Sequence, residues 1–150
     1  MHRGEKYYMI VHLVTSFIAT AAFAILFNAP KKSLISCGFV GMTGWFIFRL
    51  LVDYRFDAVV ASFIAAFFVA VISQIFSKIY KTPVTIFSIS GIIPLVPGGS
   101  AYDAMRHFVF NDYSTAMQLA AKAFMISGAI AVGIVISEVL NQLGVKIKFR

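Results

Sequence analysis

The residues with the most chemistry to offer lie within positions 90–105, where Gly91, Pro94, Pro97, Gly98, Gly99, Ser100 and Asp103 interrupt an otherwise apolar run. A helix cannot pass unchanged through two prolines three positions apart, because each lacks an amide hydrogen and crowds the preceding turn. Ser100, with Asp103 three residues on, reads as the cap of a second helix running through Arg106 to about Phe110. Backbone left unwound at membrane depth survives only against protein or a wet cavity. Free amides near Gly99, Ser100 and Ala101 can then hold a carboxylate at the positive end of that helix, while carbonyls near Ile93 can face an ammonium or another cation. A β-branched residue at Gly98 or Gly99 is expected to strain such a turn. The structural alternative is a proline-terminated helix followed by an interfacial loop.

Four ionisable residues stand near apolar surroundings: Arg49, Asp103, Arg106 and Lys122. Charge inside a membrane helix is costly and normally faces a cavity or a partner. Arg49 and Lys122 also lie close enough to helix ends for their side chains to reach the interface. Asp103 can offer an anion to an ammonium, and Arg49 or Arg106 a second cation to a second carboxylate. His2, His12 and His107 lack metal-ligand spacing, and Cys37 is a lone thiol in an apolar segment. No nucleophile elbow, phosphate loop or pair of catalytic carboxylates is present, so the sequence points to no catalytic residue, metal or cofactor.

The elements that must position these residues follow from composition. Of 150 residues, 60% are hydrophobic and 13% charged, and the mean hydropathy is +0.87. No soluble domain of this size hides so much apolar surface, so lipid is the natural solvent. Each helical crossing takes about 20 residues, and five apolar segments can be drawn, at 8–27, 34–52, 58–77, 84–102 and 114–140. The expectation is an all-α polytopic membrane protein forming one domain over 1–150, with about five transmembrane helices, the fourth broken at the Pro/Gly motif. The fifth is expected to end at 141–144. The apolar run after residues 2–6 is too long for an ordinary signal peptide, so cleavage is not expected.

The net charge of +7 has no basic stripe with interleaved aromatics, which argues against nucleic acid. Basic residues instead fall between and beyond the apolar runs. Five crossings put Arg3, Lys6, Arg49, Arg55 and Arg106 at one face and Lys31, Lys32, Lys78, Lys81, Lys146, Lys148 and Arg150 at the other, a bias favouring an external N-terminus and a cytoplasmic C-terminus. Gly38, Gly41 and Gly44 share one face of the second segment and allow close helix approach, within the chain or to a partner subunit. Residues 129–133 read the same way.

Three blocks carry a resemblance: 27–34 (FNAPKKSL), 37–44 (CGFVGMTG) followed by Arg49, and 93–105 (IPLVPGGSAYDAM). Together they resemble the threonine/serine exporter family, specifically its short, YjjB-like subunit, and the Pro-x-x-Pro-Gly block is the most specific part. The resemblance implies a half-transporter of the bacterial cytoplasmic (inner) membrane, paired with a larger membrane subunit of the same family. It implies secondary export of threonine and serine or of a succinate-like dicarboxylate. A small carboxylate substrate is common to both. Proposed substrate-contacting residues are Pro94, Pro97, Gly98, Gly99, Ser100, Asp103, Arg106 and Arg49. The competing reading is an assembly or regulatory subunit that never touches substrate; a membrane-embedded enzyme has little support.

Overall fold

The computed structural model describes the backbone of residues 2–148 and the side-chain surroundings of 7–143. Its described residues form six α-helices and two short 3-10 turns: α1 His2–Leu26, a turn Lys31–Ser33, α2 Leu34–Asp53, α3 Ala58–Tyr80, α4 Val84–Ile92, a turn Ile93–Leu95, α5 Gly98–Val109 and α6 Tyr113–Lys148. The protein is all-α, with no strand among the described residues. Four helices are each long and apolar enough to cross a bilayer, and the pair α4–α5 is bent by 52° at its break.

Helix ends are set by local chemistry. Asp57 caps α3, its carboxylate accepting from the Val59 amide at 3.1 Å. Four turns reverse through a non-glycine residue in the left-handed region: Asn28, Arg55, Lys81 and Asn111. Asparagine tolerates that conformation; arginine and lysine hold it because surrounding backbone bonds impose it. Around Arg55, for example, its amide donates to the Val52 carbonyl and that of Phe56 donates to Leu51.

The core is built on small residues of α3. Ala61, Ala65, Ala66, Val69 and Ala70 are buried, and Val69 meets Val40 of α2, Leu95 of the break and Ile126 and Ile130 of α6 in one cluster. Close approach follows from the missing side chains. A Cβ at Gly38 would stand 2.5 Å from the Phe17 ring and one at Gly44 2.5 Å from Val69, while one at Gly41 would overlap Thr20. All three glycines are therefore spent on packing within the chain, and none is left for a partner surface. Gly133 does the same for α6, where a Cβ would lie 2.7 Å from the Phe63 carbonyl oxygen.

The pairing of α3 with α6 decides how the broken segment runs. Gly133 sits on Phe63 and Phe67, Gln74 donates to the Ser137 carbonyl at 3.2 Å, and Lys78 donates to Asn141 at 3.3 Å. Partners advance together along both helices, so α3 and α6 are parallel. The chain must then travel from the C-terminal end of α3 to its N-terminal end before α6 begins. A re-entrant loop would return it to the wrong end; α4 and α5 together make a net crossing. With α1, α2, α3 and α6 this gives five traverses of the bundle.

Two expectations about segment ends are corrected. The helix α5 starts at Gly98, with Pro97 in the cap position and no side-chain cap bond. The Pro97 carbonyl already accepts from Ala101 at 3.0 Å, which places Ser100 inside the first turn and not at its cap. The last helix continues through 141–144 to Lys148, since neither Asn141 nor Gly144 is reinforced by a following proline. Its 36 residues span about 54 Å, well beyond the roughly 30 Å of a hydrocarbon core.

Candidate functional site

The break lies at the middle of the bundle. A Cβ on Gly44 would be 3.7 Å from the Gly91 carbonyl oxygen and 3.8 Å from the Leu95 side chain, and Gly44 and Val69 both occupy the middle of their helices. Leu95 is buried and anchors the turn in the core. Pro94 then ends α4 by denying it a further amide, and Val96 leaves in an extended conformation.

The backbone hydrogen bonds through this turn leave some of its polar groups without a backbone partner. The Val96 amide donates to Ile93 at 3.3 Å, Gly98 to Val96 at 2.7 Å and Ala101 to Pro97 at 3.0 Å. The Ile93 carbonyl and the Ala101 amide are thus already engaged, contrary to expectation. The amides of Gly99 and Ser100 and the carbonyls of Pro94 and Leu95 have no backbone partner among the described residues. The first turn of α5 thus carries two amides, and the turn before it two carbonyls, without a backbone partner among the turn and cap bonds.

The glycines beside these donors work differently from the turn expected. Neither has a positive φ, both are exposed, and a Cβ on Gly98 or Gly99 would meet nothing within 4 Å. A β-branched residue would therefore not strain the turn. It would fill open space directly over the free amides.

The ionisable candidates do not converge on this turn. Asp103 is half-buried on α5. Arg106 is exposed, with its guanidinium carbon 6.0 Å from the Phe110 ring centre. Arg49 lies elsewhere, paired to Asp53 at 3.3 Å in a cavity of about 630 Å³ between α1 and α2, whose walls include Tyr8, His12, Trp45 and Phe46. None of the motif residues lines that cavity. Sequence reasoning missed the α1 wall of this cavity, although Trp45, Arg49 and Asp53 at four-residue spacing mark one face of α2.

A 12-residue α5 packed on α6 completes the region. The joint between them is well specified: Asn111 turns left-handed, Asp112 accepts the Thr115 amide at 3.3 Å, and its second oxygen contacts His107 Nδ1 at 3.1 Å. Hydrogen bonds from Thr115, and to a lesser degree from His107, hold the Asp112 carboxyl below its ordinary range.

A protein-family model described as threonine/serine exporter, ThrE, matches residues 12–140. The chain belongs to the threonine/serine exporter family. That match takes in α2, α3, α4, the break, α5 and most of α1 and α6. No solved structure matches this member of the family. Among its described residues there is no cluster of three or more His, Cys, Asp or Glu that could hold a metal ion.

Proposed function

We propose that this chain is the small subunit of a two-component secondary exporter in the bacterial cytoplasmic membrane, moving small carboxylate-bearing metabolites outward with a larger subunit of the same family. The observation that carries this reading is the mid-bundle break, with the unbonded Gly99 and Ser100 amides at the start of α5. Amides at a helix start, backed by its dipole, are suited to a carboxylate. Threonine and serine have one carboxylate and a succinate-like dicarboxylate has two, so the turn serves either class.

Openness of the turn supports the two-component arrangement. Polar backbone at membrane depth needs a wet or protein surround, and the exposed side of Gly98 and Gly99 is bounded by nothing in this chain within 4 Å of a Cβ. A larger subunit laid over that side would enclose substrate between the two. Asp103 and Arg106, on the same short helix, would then stand near the path, with Arg106 free of any carboxylate in this chain among the described residues.

The test is uptake of labelled L-threonine and succinate into inside-out membrane vesicles containing the full chain and its larger partner. Gly98→Val and Gly99→Val place a side chain over the free amides without clash, so uptake should fall at least about tenfold, roughly 1.4 kcal/mol, while helix content and assembly stay as in wild type. Arg106→Ala should weaken succinate uptake more than threonine uptake, since only the dianion needs a second cation. Wild-type uptake in assembled Gly98→Val and Gly99→Val variants rejects the turn as a substrate site, and equal rates from the small chain alone and from the pair reject the half-transporter.

A further inference from the structure

The geometry points to the α1–α2 cavity as a second recognition site, one that takes a zwitterionic α-amino acid in preference to a dicarboxylate. The inference rests on the export reading for its choice of ligand, but on different residues. Its volume, about 630 Å³, falls within the roughly 300–1,000 Å³ typical of small-molecule sites. Arg49 and Asp53 share its wall and touch through one nitrogen and one oxygen, Nη2 to Oδ1 at 3.3 Å, with both side chains about half exposed. The remaining guanidinium donors and carboxylate lone pairs are free to bind something else.

Charge balance selects the ligand. The pair is neutral as a unit, and an α-amino acid is neutral too, with its carboxylate and ammonium on a single carbon. Carboxylate on Arg49 and ammonium on Asp53 would leave no charge uncompensated. A dicarboxylate would set two negative charges against one arginine and beside an aspartate, so that one carboxylate would meet like charge and no cation. Trp45 adds an aromatic face in the same wall, 5.9 Å from the His12 ring, of the kind that favours a nearby ammonium. The Tyr8 hydroxyl and the His12 ring make no hydrogen bond within the chain among the described residues, and both line the cavity. They can serve the side-chain hydroxyl of serine or threonine.

An anionic group beside an ammonium also occurs on phosphatidylethanolamine, so the experiment must separate free amino acid from lipid headgroup. Trp45 is the one tryptophan of the chain, and its emission reports directly on the cavity. The purified full chain, held in phosphatidylglycerol nanodiscs, is titrated with L-threonine, N-acetyl-L-threonine, L-threoninol and succinate. Threonine should give a saturable change and succinate none of similar affinity. Arg49→Gln and Asp53→Asn should each raise the half-saturating threonine concentration about tenfold or more. Asp53→Asn should not weaken N-acetyl-L-threonine, which lacks the ammonium, and Arg49→Gln should not weaken L-threoninol, which lacks the carboxylate. A merely structural effect would weaken every ligand alike and overturn the site, as would the lack of a saturable wild-type response or unaltered threonine binding in both variants. If phosphatidylethanolamine alone produces the change and threonine does not displace it, the ligand is the headgroup and the amino-acid assignment falls. Vesicle uptake tells the two readings apart: transport with a silent cavity overturns only the cavity, and threonine binding without transport overturns only the exporter role.

Discussion

Glycine means two different things along this chain. At Gly38, Gly41, Gly44 and Gly133 the missing side chain lets helices touch, whereas at Gly98, Gly99 and Gly128 a Cβ would meet nothing within 4 Å. Gly133→Val should therefore destabilise the α3–α6 contact by about 1–3 kcal/mol, because the opposing atom is backbone, the Phe63 carbonyl, and cannot rotate away. Gly128→Val, five residues earlier on α6, should be nearly neutral. Denaturation in SDS-titrated micelles would compare them, and equal stability of the two variants would contradict this packing. Position in sequence revealed the helical spacing of the first three glycines, but not who faced them. The structure puts that surface inside the chain, against Phe17, Thr20 and Val69. Arg49 shows the same division. Its type and location marked it as a candidate, and its partner Asp53 stands one helical turn on in the same helix, yet the cavity around them depends on how α1 lies against α2.

Among the elements, the apolar runs translated almost directly into helices: α2 begins at Leu34 and α3 at Ala58, where the segments were drawn. The broken fourth segment was legible for the same reason, since proline acts on the backbone whatever its tertiary context. The start of α5 was not. Ser100 has the chemistry of a cap, but Pro97 fixes its own φ and offers its carbonyl to Ala101 first, starting the helix earlier. The opposite case is Asp112, whose capping of α6 went unread beside the more conspicuous motif. Its carboxyl is held below the ordinary range by Thr115 and His107, so its contribution to stability is present above the unfolded-state pKa. That contribution is lost as pH falls through the lower, folded-state pKa. Acidification across that window should loosen the first turn of α6, seen as faster hydrogen exchange of amides 113–116. Asp112→Ala should show the fast exchange already at neutral pH; protection that stays constant with pH in the wild type would refute the cap.

For the molecule as a whole, composition settled the class, and the parallel run of α3 and α6 settles what composition left open about the broken pair. Length and hydropathy allow four spans or five. Contacts at Phe63–Gly133, Gln74–Ser137 and Lys78–Asn141 require the chain to change ends between them, and only α4 with α5 lies between. Five traverses place the turns at Arg55 and Asn111 at one end of the bundle and those at Lys32 and Lys81 at the other. Reporter fusions at Lys32, Arg55, Lys81, Asn111 and Arg150 should accordingly alternate in compartment, and the excess of lysine at the Lys32 and Lys81 end favours that end as cytoplasmic. The decisive pair is Lys81 and Asn111. If both report the same side, the break is a re-entrant loop, α6 runs antiparallel to α3, and the contacts between them cannot form. If they report opposite sides, the break lies within a full crossing and puts the backbone groups of the proposed carboxylate site between the two faces of the bundle.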